Sequence, residues 1–210
     1  SYSLIQLIAY RTPIVSSVVS TRVNQIAAFA RRPENQYDIG FQVRRRGSGN
    51  RSEPSKAERK ISEEIENFIL FCGDLNQDRL LVGQTFQEFT RSVIRDSLIY
   101  DQLNFQVVPR VNGKPFEMIA MPAHTMRLVK DDFRVGEARV DVGTDAARAK
   151  TEIKLLDPDD VYAVQIYEAM PIAEFTKREL AWGIRNPRSD IDSFGYGLSE
   201  IELMMRVLTA

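Results

Sequence analysis

Four stretches of the chain repeat apolar residues about every 3.6 positions, and each opens on residues suited to a helix N-terminus. In the first, Thr12 and Pro13 stand as N-cap and N1 proline before Val15, Val19, Val23, Ile26, Ala27 and Ala30. The pattern predicts a helix with one buried stripe, ending near Arg31-Arg32-Pro33. In the second, Ser55 and Glu58 form a capping box, and Ala57, Ile61, Ile65, Phe68, Ile69 and Cys72 follow at helical spacing up to Gly73, a C′ candidate. A second box, Thr85 with Glu88, opens a helix with Phe86, Phe89, Val93, Ile94 and Leu98 on one side. A third, Ser199 with Glu202, precedes Ile201, Leu203, Met204, Val207 and Leu208, a helix that runs on to Ala210 and leads us to expect more chain beyond it.

Between these stretches the period shortens. Ile39–Val43 is apolar enough for a short strand, and RRRGSGNRSEPS after it has the composition of an exposed loop. FQVVPRV and KPFEMIAM, joined by Asn112-Gly113, predict a hairpin with a type I′ turn, because both turn residues accept positive φ. Pro109 marks its first strand as an edge strand or a bulged one. VYAVQIYEA and Glu179–Ile184 are further strand candidates, and RNPRSDIDSFGYG is a loop. From Asp131 to Asp160 the chain is charged and weakly periodic, an excursion from the core that closes with the turn signal DPDD. The whole predicts an α+β fold: amphipathic helices packed on a small, mostly antiparallel sheet.

Composition narrows the class. With 210 residues, 43% hydrophobic and 27% charged, the chain is long enough for a globular core. No segment approaches the roughly 18 apolar residues that span a bilayer, and SYSLIQLIAYRTP lacks the features of a secretory leader, so the expectation is a protein neither membrane-inserted nor secreted. Twenty-eight basic against 29 acidic residues leave a net charge of −1, which offers no global attraction for nucleic acid. One cysteine, Cys72, and one histidine, His124, make neither an internal disulfide nor a usual zinc site.

The candidate chemistry is thin. His124 in MPAHTM titrates in the range of a general base, yet no serine or cysteine stands in a nucleophile motif, and Cys72 lies on an apolar stripe. The acidic groups Asp131-Asp132, Asp157, Asp159 and Asp160 lack EF-hand spacing, and with Asp190 and Asp192 they read as turn-forming carboxylates. Gly195-x-Gly197 lacks the third glycine of a dinucleotide fingerprint, and Gly40, Gly47, Gly49 and Gly113 build no Walker sequence. No catalytic residue, metal ligand or cofactor site is expected. Arg44, Arg45, Arg46 and Arg51 form the one basic run, able to grip phosphates without reading sequence, although no aromatics are interleaved for base stacking.

The order of segments resembles the tailed-phage portal protein family. The early helix TPIVSSVVSTRVNQIAAFA, the helix-to-hairpin passage from ENFILFCG through FQEFTRSVIRDSLIYDQLNFQVVPRVNGKPFEMIAMPAHTMRLV, and ELAWGIRNPRSDIDSFGYGLSEIELMMRVL carry the likeness. In the last of these, Asn186, Pro187, Gly195, Gly197 and Ser199 lead from a strand through a turn into a helix. They read as architectural residues, since glycines open backbone conformations closed to others and Ser199 caps a helix. The resemblance covers residues from about 12 onward, and the 131–160 stretch has no counterpart in it. It implies a portal wing: residues 1–11 as an N-terminal arm, 12–198 as the wing domain, and 199–210 as the start of a helix leading to the stem. It further implies a homo-oligomeric ring, typically of twelve subunits, at one capsid vertex of the virion. Double-stranded DNA passes through that ring, and the major capsid protein, a head-tail adaptor and the large terminase are its partners. The rival expectation is a nucleic-acid-binding module working through Arg44–Arg51; an enzyme using His124 is a third.

Overall fold

The structure, a computed structural model, describes residues 2–35, 37–46, 55–73, 84–129, 160–188 and 195–208. Five helices are present among them: α1 (Tyr2–Arg11), α2 (Pro13–Ala27), α3 (Lys56–Leu70), α4 (Phe86–Tyr100) and α5 (Glu200–Leu208). Six strands form two antiparallel sheets. The first has the order β2-β1-β6, from β1 (Leu103–Pro109), β2 (Pro115–Ala120) and β6 (Leu180–Gly183). The second has the order β3-β4-β5, from β3 (Met126–Leu128), β4 (Val161–Tyr167) and β5 (Met170–Thr176). The class is α+β, with two small sheets where the periodicity implied one.

Helix α4 is the element around which the rest is arranged. Its capping box is complete: the Thr85 hydroxyl accepts from the Glu88 amide at 3.3 Å, and the Glu88 carboxylate accepts from the Thr85 amide at 2.9 Å. Phe89 and Val93 face the first sheet, where they join Cys72, Leu103, Phe105, Met118 and Ala120. Ile99 and Tyr100 face the other way, into a cluster with Ile5 and Ala9 of α1, Ala123 and Ile201, flanked by Val15 and Val19 of α2. Residues 2–11, placed in an arm by the resemblance, form a helix whose Ile5 and Ala9 are buried, a spacing of four that puts both on one face. Thr12 adopts the extended N-cap conformation and Pro13 starts α2, but the threonine side chain makes no cap bond. Val23, Ala27 and Ala30 are buried as the stripe predicts, whereas Ile26 is 39% exposed.

The capping box of α3 is also complete, with bonds of 3.2 and 2.9 Å between Ser55 and Glu58. The helix ends one residue earlier than Gly73 suggests. Cys72 takes the left-handed C′ position at φ 51°, its amide donating to Ile69 O while that of Gly73 donates to Phe68 O, the paired bonds of a Schellman ending. The Cys72 carbonyl then receives the Met118 amide at 2.8 Å, which fixes the helix end to β2. The expected strand at Ile39–Val43 does not form. Two of its amides are taken up by other segments, Phe41 by the Arg31 carbonyl at 3.0 Å and Val43 by the Glu66 carboxylate at 3.0 Å, so no ladder is needed to satisfy them.

The Asn112-Gly113 hairpin exists, but its turn is longer than type I′. The Gly113 amide donates to Arg110 O and the Arg110 amide to Lys114 O, with positive φ at Gly113 alone, which is the geometry of a longer loop closed by a left-handed glycine. The pairing register shifts between Val108 and Pro109, so the proline sits at a bulge, beyond the reach of β6, which pairs only as far as Gln106. The true two-residue hairpin lies at Glu168-Ala169, both at positive φ (49° and 65°), between the paired Tyr167 and Met170. Of the strands it and its neighbours form, β4 and β6 match the candidates VYAVQIYEA and Glu179–Ile184, while β3 and β5 have no counterpart in the periodicity. The excursion lies outside the described residues apart from Asp160.

Since neither Glu nor Ala favours the left-handed region, Glu168→Asn with Ala169→Gly is expected to stabilise the chain by about 1 kcal/mol. Urea unfolding reads this as a higher midpoint at unchanged slope; an unchanged midpoint would count against a strained turn.

Candidate functional site

The motif residues singled out in the sequence converge on one buried carboxylate. Helix α4 ends at Asp101, which takes the left-handed conformation (φ 53°), has no exposed surface and points its side chain at the loop after β6. The Asn186 amide donates to its Oδ2 at 2.8 Å and the Asn186 side-chain amide to its Oδ1 at 3.0 Å. Arg185 Nε lies 3.4 Å from Oδ1, and the same guanidinium donates to the Ser97 carbonyl and to Glu200 at the start of α5. A carboxylate stripped of water is costly unless charge and hydrogen bonds compensate it, and here one arginine and two donors from Asn186 do so.

The glycines fit this centre by different means. Gly195 has φ 86°, a conformation open to glycine, and its carbonyl accepts from Trp182 Nε1 at 2.9 Å. Gly197 has no positive φ; it is needed for space, because a Cβ there would collide with Asp101 Oδ2. Pro187 and Gly197 form an isolated antiparallel bridge, and Leu198 N donates to Asn186 O at 2.8 Å. Ser199 is buried. Its hydroxyl donates to the Ile99 carbonyl and accepts from the Ile201 amide at 3.1 Å, so it caps α5 and at the same time ties it to the last turn of α4. The third capping box is not completed: Glu202 turns away from the Ser199 amide to pair with Arg188, which also holds Gly197 O.

Asp101, Arg185 and Arg188 stand outside the motif that the sequence displays. Asn186 and Asp101 are 85 residues apart, and Asp101 looks like any polar residue between a helix and a strand. A second tie runs through Tyr196, whose hydroxyl accepts from Leu128 N at 2.9 Å and whose ring meets Trp182 edge to face. The Gly195–Ser199 segment thus touches both sheets and both helices α4 and α5. The Tyr2 hydroxyl donates to Gln102 at 2.8 Å, which adds α1 to the same junction, and burial pushes this phenol up to about 12.

The other candidates stay apart. The Cys72 thiol is buried under α4 and pushed up to about 12, first by burial and then by Glu117 and Glu88, so it is no thiolate at neutral pH. His124 is exposed on a 3-10 turn (Ala123–Thr125); partial burial of the ring and then Arg127 hold its imidazole below the usual value. Arg44, Arg45 and Arg46 are exposed, with Arg44 bonded to Gln42 and Arg45 paired with Glu58 at 2.7 Å; Arg51 lies outside the described residues. So do Asp131, Asp132, Asp157, Asp159, Asp190 and Asp192. Among the described residues no three His, Cys, Asp or Glu side chains are grouped as a metal site would require, and no helix is long and apolar enough to cross a membrane.

The junction thus ties the start of α5 to the end of α4 and to both sheets, in an α+β domain. The chain is similar to a probable portal protein of Staphylococcus phage Twort, 36% identical over 94% of this chain, and to a probable portal protein of Enterococcus phage phiEF24C, 27% identical over 94%. It spans about a third of their length, 31% and 30% respectively. No protein-family model matches. The resemblance carried by the motifs therefore extends over nearly all of this chain, as similarity to about a third of each of these probable portal proteins.

Asp101→Ala would leave the Asn186 donors and Arg185 without their acceptor, and Gly197→Ala would force the junction apart. Each is expected to cost about 3 kcal/mol or more in denaturant unfolding, against under about 1 for the exposed Arg45→Ala. Equal, small losses for all three would remove the junction from its central place.

Asp96 on α4 gives a pH test. Its carboxylate accepts from the Ala123 amide at 2.7 Å, yet burial raises it from 3.8 to about 6. The folded state therefore holds this proton more tightly than the unfolded one, so the Asp96 contribution to stability declines as pH rises from about 4 to about 6. Asp96→Asn is expected to flatten that part of the stability profile and to raise Tm at pH 7; a profile identical to that of the parent would refute the assignment.

Proposed function

We propose that this chain is the wing portion of a phage portal subunit, a structural protein and not an enzyme. The carrying observation is the 36% identity over 94% of the chain to a probable portal protein. The Asp101 junction supports the same reading, since it fixes the start of α5 against the end of α4, as a wing joined to a stem helix requires.

On this reading copies assemble into a ring of about twelve at one vertex of the capsid, the head-tail connector of the virion, formed in the host cytoplasm before packaging. Double-stranded DNA enters and leaves through its channel; the major capsid protein, a head-tail adaptor and the large terminase dock on it. No cofactor is called for, because a portal guides DNA while the terminase supplies the energy. Asn186, Pro187, Gly195, Gly197 and Ser199 serve as architecture. The nucleic-acid module built on Arg44, Arg45, Arg46 and Arg51 draws less support, as Arg45 is already engaged with Glu58 and the net charge is −1.

Electron microscopy of the purified full chain, together with its mass in solution, tests the proposal. Ring particles with a central opening are the expected result. A protein that stays monomeric at every concentration and salt condition would overturn it.

A further inference from the structure

Two helices carry apolar stripes that the described residues leave uncovered. On α2, Ile14, Val18 and Ile26 are 77%, 56% and 39% exposed, and with Arg22 they fall at intervals of four, on a face of the helix turned away from the buried Val23 and Ala27. On α3, Ile61 and Ile65 are 56% and 44% exposed, and no residue of that helix is fully buried. Glu64 is exposed on the same face, three residues from Ile61. Contiguous apolar positions rimmed by polar ones on an exposed helix face mark a contact surface.

The charges within the two stripes are opposite. Residues 2–27 contain two arginines, Arg11 and Arg22, and no Asp or Glu, so the α2 face is basic wherever it is charged. The α3 face carries Glu64 beside Ile61 and Ile65, with Lys60 one turn before Glu64 at its rim. Neither Arg22 nor Glu64 is paired with another described residue.

We infer that the α2 stripe of one copy packs against the α3 stripe of a second copy of this chain, with Arg22 facing Glu64 amid the apolar contacts. Because the two faces differ, the contact is heterologous: each copy offers α2 on one side and α3 on the other, and repetition closes a ring where the rotation permits. The inference rests on the ring reading above and names the surfaces that would make it. Desolvated by the isoleucines and valine around it, the ion pair sets the register and rejects the α2–α2 and α3–α3 pairings, which would oppose like charges.

The test uses charge reversal in the full chain, with mass photometry across a concentration series and circular dichroism as the folding control. Arg22→Glu and Glu64→Arg are each expected to raise the concentration for half-assembly by about tenfold, and the double variant R22E/E64R to restore it. An equimolar mixture of the two single variants should also assemble, with the two variants alternating around the ring. In a second arm, V18C and I61C in one chain should cross-link into a ladder of multimers under mild oxidation, Cys72 being buried; copies carrying one engineered cysteine each should stop at dimers when mixed. If the parent forms rings and the single reversals leave them unchanged, the ring reading stands and this interface is wrong. If V18C/I61C cross-links only within single copies, or the reversals lower Tm of dissociated subunits, another part of the same chain covers the stripes and the inference fails. A parent that never assembles overturns both.

Discussion

One carboxylate, that of Asp101, is held away from water where the main elements of the fold meet. Its position at the C-terminal end of α4 is unfavourable in itself, because a negative charge there adds to the negative end of the helix dipole. Arg185 offsets this by bonding the Ser97 carbonyl, one of the last of that helix, while lying against the carboxylate. Asn186 supplies two further donors, and Gly197 leaves the room a side chain would take. All three partners lie on the segment between β6 and α5, so the carboxylate converts a loop into a fixed bracket. Helix α5 starts from that bracket and inherits its direction through Ser199.

The two small sheets are joined by the same bracket. Trp182 of the first sheet and the Leu128 amide of the second both bond into Gly195-Tyr196, and the core between the sheets, with Met121, Met126, Ala163, Phe175 and Leu180, closes behind them. A three-stranded sheet needs a covered apolar face to be stable, and here each gains a second layer, α4 for the one and the other sheet's apolar face for both. The helical cluster on the far side of α4 then completes a core that runs through the domain, with α4 shared between its parts.

What remains outside is as informative as what is packed. Helices α2 and α3 present isoleucine and valine at regular spacing that the described residues leave exposed, in a chain similar over nearly its whole length to a probable portal protein. Of the candidate chemistry, the thiol is held protonated under a helix, and the imidazole lies beside the Tyr100 ring on an exposed turn.

Features whose partners lie within a few residues were legible in the chain alone. The boxes at Ser55 and Thr85, Pro13 at a helix start, the bulge at Pro109 and strands β4 and β6 all rest on contacts of one to four positions or on local alternation, and the family likeness of the Asn186–Ser199 motif could be read for the same reason. Contacts between distant segments settled the rest. Ile39–Val43 lost its strand because Arg31 and Glu66 satisfied its amides; the Glu202 box gave way to Arg188 across 14 residues; the I′ turn fell on Glu168-Ala169, where strand pairing imposed a conformation neither residue prefers. Asp101 is the clearest case. Its role comes from a partner 85 residues away, and a local pattern carries no information about a distance that long, because only the folded chain brings the two together.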